Sequence, residues 1–501
     1  MLLVRRSFVV VIGLGPLLAV TVASRVARAE PEVTLDTASQ LYEVRSPSGL
    51  TLLTRQRLTS MLGVSGYDLL ERNGNPNAPE LFFRARLRYD ADYGANGAEA
   101  DVQNDARYVP GFERGPVDLM YAYVEGRRIL SRWLGFRAGR QYVTDVLGWW
   151  SFDGATVRVT SPYYLAAEAF GGLEVRGGLA LSTPRFERDG VWRGSRDRMD
   201  NSQWTSFVDN AVAPAYGAAI ETVGIGFLQA RASYRHVDST GAAPTNPFVP
   251  LNQAQTTGTR LSQERMGMSL NMSFGEVAGA KAGFAYDLYG GRTQAVFASF
   301  DGYPSSRVTF GVDYDYTRPI FDADSIWNFF GALPTQHLGA RTNIDVTPKL
   351  AVGFGTFARA FGNQTEASGG GTGSSAASFF PQTDATFTAG GDLSARYRVS
   401  RGRFGVRSDA SGGYSGHRLG GDLFADYTVE NRILLQGRVS LWRWKDSLRP
   451  ERSTDSIGYV AGVGYVLGAR SRAMVELEHN ANRLVGDRIR LMFWLTVAVT
   501  K

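Results

Sequence analysis

The chain has 501 residues, no cysteine, 58 glycines, 12% aromatic residues and a formal net charge of +6. The missing cysteine excludes disulfides, thiolate zinc sites, iron–sulfur clusters and covalently attached c-type haem within the chain. Four positive charges, Arg5, Arg6, Arg25 and Arg28, lie in the first 29 residues; without them the net charge falls to +2, which argues against nucleic acid as a partner.

Residues 1–29 read as a cleaved export signal. A short basic stretch is followed by an apolar run over 8–23 and by Ala27-Arg28-Ala29, a small-x-small site with cleavage expected before Glu30. The run is shorter than the ~20 residues of a spanning helix, and Gly13, Gly15 and Pro16 interrupt it. Residues 30–50 are expected to form a periplasmic N-terminal segment, and 51–501 an outer-membrane barrel.

Beyond residue 30 no apolar run is long enough for a membrane helix, and the pattern becomes alternating. In "LFFRARLRYDADY", Phe83, Ala85, Leu87, Tyr89, Ala91 and Tyr93 share one face, while Arg84, Arg86, Arg88, Asp90 and Asp92 share the other. Period two over this length is a strand with one apolar and one polar face. The same alternation recurs over 265–274, 307–317, 393–399 and 422–430, with further candidates between and around them. Short links near 128–132, 161–163, 275–278, 347–349 and 400–402 alternate with long polar ones at 94–115, 171–210, 238–259, 318–335 and 363–384. Short turns on one rim and long loops on the other are the build of a transmembrane barrel. The fold class expected is all-β: a transmembrane antiparallel up-and-down β-barrel of about 20 strands, within a range of about 18–22. A candidate strand at 51–70 spoils the even count unless 39–46 pairs with it, which gives 22. Tyr89, Tyr93, Tyr314, Tyr316, Trp442 and Trp444 near strand ends fit interfacial girdles. In the closing run "RIRLMFWLTVAVTK", Ile489, Leu491, Phe493, Leu495, Val497 and Val499 form one apolar row, expected to face lipid.

The polar faces collect Arg84, Arg86, Arg88, Arg137, Arg231, Arg235, Arg396, Arg398, Arg438, Arg488 and Arg490, with Asp287, Asp313, Asp315, Asp345, Asp422 and Asp426 among them. In a wide barrel these residues line the lumen. There they either set ion preference or only brace the wall through cross-strand pairs. The 171–210 loop, with Arg185, Arg188, Arg193, Arg196 and Arg198, is a candidate constriction.

No enzyme is expected. The four histidines, His236, His337, His417 and His479, show no metal-ligand spacing; no nucleophile–base constellation or phosphate-binding loop stands out, and no cofactor or metal motif appears. The partners expected are outer-membrane lipid and lipopolysaccharide, the barrel-assembly machinery and small solutes, with homo-oligomerisation open.

"FRAGRQYVTDVLGWWSFDGATVRV" (136–159) and "YAYVEG" (121–126) resemble a segment of bacterial outer-membrane porin-like proteins of the alginate-export type. In that group a strand ending in Gly-Arg-Gln is followed by a loop and by Phe-Asp-Gly opening the next strand; here these are Gly139-Arg140-Gln141 and Phe152-Asp153-Gly154. The resemblance implies a channel of some 18 strands. The reading is a passive porin-like channel of a Gram-negative outer membrane for small, anionic or zwitterionic hydrophilic solutes. The alternative is a structural barrel that sheathes an electron-carrier or secretion component.

Overall fold

The computed structural model describes residues 30–67, 69–70, 78–92, 117–130, 132–175, 213–240, 243–244, 255–256, 259–319, 334–362, 386–413, 416–446, 449–484 and 486–500. Residues 1–29, expected above to be an export signal, and the arginine-bearing part of the 171–210 loop lie outside them.

In chain order the strands are β1 (Glu30–Arg45), β2 (Thr51–Tyr67), β3 (Glu80–Asp92), β4 (Val117–Ile129), β5 (Leu134–Asp145), β6 (Gly148–Thr160), β7 (Leu165–Glu174), β8 (Pro214–Thr222) and β9 (Leu228–Ser239). A small ladder of β10 (Ala243–Pro244) with β11 (Gln255–Thr256) intervenes. Then follow β12 (Arg260–Phe274), β13 (Ala278–Asp287), β14 (Arg292–Ser305), β15 (Val308–Thr317), β16 (Thr335–Asp345), β17 (Leu350–Phe361) and β18 (Thr386–Val399). The last are β19 (Gly402–Gly413), β20 (Gly416–Val429), β21 (Ile433–Lys445), β22 (Thr454–Gly468), β23 (Ser471–Asn482) and β24 (Gly486–Thr500). All but β10 and β11 join one 22-stranded antiparallel sheet, and β1 pairs with β24 as well as with β2, so the sheet is a closed barrel. Closure leaves no unpaired sheet edge in lipid.

Alternation decides which way each side chain points. Phe354, Leu393, Leu423 and Val463 stand on the outer face and are more than half exposed. Apolar rows this open are at rest only against hydrocarbon, so the barrel is transmembrane. Ile489, Leu491, Phe493, Leu495, Val497 and Val499 form the outward row of β24, in register with Glu43, Leu41, Ser39, Thr37, Leu35 and Val33 of β1. The links at 93–116, 175–213, 240–259, 318–334 and 362–385 share one rim. The two ends of the strand series, Glu30 and Thr500, sit at the other rim with the tight turns. At the Glu430-Asn431-Arg432 turn, Glu430 and Asn431 adopt φ of 50° and 59°, a left-handed pair suited to a tight hairpin.

Two expectations are corrected. Residues 30–45 are no periplasmic segment; they are the first wall strand. Thr37 and Ser39 interrupt the outward row of β1, which hides its alternation in the sequence. The 22 strands fall within the expected range of about 18–22 and match the count that pairing 39–46 with 51–70 gives. Trp442 and Trp444 face the lumen, not an interface: Trp442 pairs in register with inward Gly420 and Ser456, and the Arg418 guanidinium lies 4.0 Å from its ring centroid. Tyr89, Tyr314 and Tyr316 do face outward.

Candidate functional site

Part of the wall folds into the lumen. β4 and β5 pair up the barrel as far as Ala122 and Arg140; above that level β4 pairs with β3 alone, up to Val117. Gly139 sits at this point with φ of 122°, and a side chain there would strike the Ala122 carbonyl. The β5–β6 hairpin then turns inward. Its tip reaches Gly267 on the inner face of β12, where a Cβ would come within 2.7 Å of Val146 and 2.9 Å of Leu147. Arg235, inward on β9, donates from Nη2 to the Leu147 carbonyl at 3.0 Å and from Nε to Gln263 at 2.7 Å.

An apolar cluster glues the hairpin to the inner faces of β7, β8 and β9. Trp150, Phe152, Phe170, Ala213, Ala215 and Val237 form it, with Val143 packed alongside. Trp150 and Phe152 stack at 4.5 Å, and Trp150 Nε1 donates to Glu174 at 2.8 Å. Phe152 is wholly buried. Burying a side chain of that kind is worth about 1.5–3 kcal/mol, so the cluster holds the hairpin against a water-filled lumen.

The root of the hairpin is made by the six residues that carry the family resemblance. Arg140 grips both oxygens of Asp153 at 2.7 Å through Nε and Nη2, and its Nη1 donates to the Leu119 carbonyl of β4 at 3.0 Å. The guanidinium thus ties the departing hairpin to the strand it leaves. Gln141 is fully buried; its amide donates to the Gly154 carbonyl at 3.1 Å and accepts from Thr156 Oγ1 at 2.8 Å. Gly154 packs against Gly172 so closely that a side chain on either would meet backbone. Beneath the hairpin lies a cavity of 430 Å³ lined by Glu125, Arg127, Arg137, Val143, Arg158 and Glu168, among others.

All eleven arginines singled out from the sequence lie on the inward register, but they divide into two kinds. Arg86 pairs with Asp36 at 2.6 Å, Arg88 with Asp118 at 3.2 Å, and Arg231 with Glu168 at 2.8 Å and Glu221 at 2.6 Å. Arg84 lies over the Tyr67 ring and Arg137 over that of Tyr123. Arg488 and Arg490 converge on Glu478. Arg235 is spent on the hairpin. Arg396, Arg398 and Arg438 are different: exposed, and without an ion-pair partner among the described residues. Arg398 even stands opposite Arg403 in the register. Asp313, Asp315, Asp345, Asp422, Asp426 and Asp287 are also inward. Among the histidines, His337 is inward, while His236, His417 and His479 are outward near the long-loop rim.

The resemblance implies a loop between Gln141 and Phe152, and the candidate constriction expected from the sequence is 171–210, whose arginines Arg185, Arg188, Arg193, Arg196 and Arg198 lie outside the described residues. The inward hairpin had one signal. "VLGWW" (146–150) is a tight turn built of apolar residues and glycine alone.

No family model matches the chain, and no curated protein does. Among solved structures it is similar to OccAB4 of Acinetobacter baumannii, at 8% identity over 95% of this chain and 98% of that one, with a TM-score of 0.43. It is similar to OpdL of Pseudomonas aeruginosa at 10% identity over 95% and 99%, with a TM-score of 0.41. A mutant of the ferric enterobactin receptor PfeA of Pseudomonas aeruginosa matches at 10% identity over 94% and 81%, with a TM-score of 0.52; this last likeness is one of fold.

Proposed function

We propose that the chain is an outer-membrane channel through which small hydrophilic solutes diffuse passively, with a preference for anionic or zwitterionic ones. The observation that carries this is the set of exposed arginines Arg396, Arg398 and Arg438, without an ion-pair partner among the described residues, on the inner wall of a 22-stranded barrel. Unpaired guanidinium groups in a wet lumen leave a positive field that attracts anions, whereas paired ones largely cancel. The inward β5–β6 hairpin narrows the path and sets the size limit. Residues 1–29 direct export and are removed, the outward apolar rows meet outer-membrane lipid and lipopolysaccharide, and the barrel-assembly machinery inserts the chain. The Gly139-Arg140-Gln141 and Phe152-Asp153-Gly154 segments favour a relative of the alginate-export porins, with the solute left as a class. A hairpin folded into the lumen takes up room that a sheath would need for its partner protein.

The test is a planar-bilayer recording of the purified barrel under a salt gradient. The expected outcome is a stable conductance with a reversal potential on the anion side, shifted towards the cation side by Arg396→Ala, Arg398→Ala and Arg438→Ala together. An absence of conductance, or cation selectivity in the unaltered protein, would overturn the reading.

A further inference from the structure

We propose that Asp313, Asp315 and His337 form a lumen-facing site for a divalent transition metal of the Zn²⁺ or Ni²⁺ kind. The backbone brings the three together. Asp313 and Asp315 are two residues apart on β15 and so share the inner face; His337 on β16 stands directly opposite Asp315. One ligand atom from each lies within 4.8 Å of the other two.

The spacings suit a bridging ion better than a direct bond. His337 Nδ1 is 3.4 Å from Asp313 Oδ2 and 3.9 Å from Asp315 Oδ2. A charge-assisted hydrogen bond between such groups closes to about 2.7–2.9 Å. Ligands held about 2.0–2.2 Å from one metal at tetrahedral or octahedral angles stand about 3.0–3.5 Å apart. The first distance falls in that range. The second needs only a small rotation of Asp315, whose side chain is 52% exposed and free to make it.

The surroundings keep the ligand atoms available. Arg341 takes the other oxygen of Asp313, Oδ1, at 3.4 Å while bonding Asp301 at 2.7 Å, so it steadies the carboxylate and leaves Oδ2 open. Gly339 makes the room: a Cβ there would come within 2.7 Å of Asp313 Oδ2. The Phe357 ring stacks on His337 at 5.9 Å and 29°, limiting its rotation. Two carboxylates and one imidazole match the donor preference of a borderline dication, and the open lumen side leaves positions for water or a passing solute. Arg341 and Arg359, opposite His337 in the register, repel the ion and moderate its affinity.

Zn²⁺ titration of the full-length barrel in detergent, carried on a tag without histidine, tests this by calorimetry. One saturable site per chain is expected, weakened by at least about 10-fold in His337→Ala and in Asp315→Asn, since loss of a ligand costs no less than the 10–100-fold of a supporting contact. His337→Gln keeps the side-chain bulk and guards against a folding artefact; it is expected to bind as weakly as His337→Ala. No saturable Zn²⁺ binding, or equal binding by wild type and all three variants, overturns the site. Calorimetry reads binding whether or not the barrel conducts, so a failed bilayer recording strikes the channel reading and leaves this one standing.

Discussion

At the scale of single residues, the Arg140–Asp153 clasp fixes the root of the inward hairpin. It combines a bidentate charge-assisted bond with a third hydrogen bond to the Leu119 carbonyl. Removing Arg140 strands the Asp153 carboxylate at the point where the hairpin leaves β4. Both groups are partly exposed, so solvent offsets much of the loss, and Arg140→Ala is expected to cost about 1–2 kcal/mol. The measurement is the unfolding midpoint together with open-channel noise, which rises as the hairpin loosens; unchanged values for both would deny the clasp its role. The sequence showed which face each arginine takes, because period two is a backbone property. It could not show which arginines are neutralised. That depends on residues distant in the chain, such as Glu168 and Arg231, 63 positions apart. The lumenal role of Trp442 was hidden for a similar reason: two tryptophans near a strand end suit an interface or a guanidinium equally well, and only the register chooses.

At the scale of elements, the β5–β6 hairpin is a wall segment turned into a constriction by one left-handed glycine and an apolar underside. Its hold on β7–β9 rests on Phe152, so Phe152→Ala should leave a cavity costing about 3–5 kcal/mol locally. The hairpin then samples positions away from the wall of β9, and the unitary current is expected to split into several levels instead of one. Shortening the tip by removing 143–150 should raise the conductance outright; an unchanged conductance would place the narrow point elsewhere. Most wall strands were legible from alternation. β1 was not, since its outward row carries Thr37 and Ser39 where an apolar residue would have betrayed the period. The hairpin's inward turn was illegible for a different reason: turn and strand residues there look ordinary, and the deviation is fixed by packing against β7, β9 and β12.

At the scale of the whole molecule, the barrel is a cylinder with an oily outside and a charged inside. A charge is therefore tolerated or refused according to parity alone. Leu495→Arg points into lipid and is expected to cost about 2–4 kcal/mol if it lies near the bilayer midplane, whereas Thr496→Arg points into the lumen and should assemble as wild type does. Outer-membrane yield and heat-modifiability on gels compare the two; equal assembly would mean that β24 faces the other way. The closed, even-stranded plan was readable from the loop asymmetry and from the parity of the closing strand. The count reaches 22 once the 39–46 segment is taken as part of β1.

The seam between β1 and β24 has a temporal meaning. Val33 lies beside Val499, near the two ends of the strand series. Contacts so distant along a polymer form late, because the whole intervening length must be brought into place first. The cylinder therefore has no complete circumference until its final residues have been delivered. A chain interrupted before β24 presents β1 and β23 as two bare edges, open to pairing with another chain.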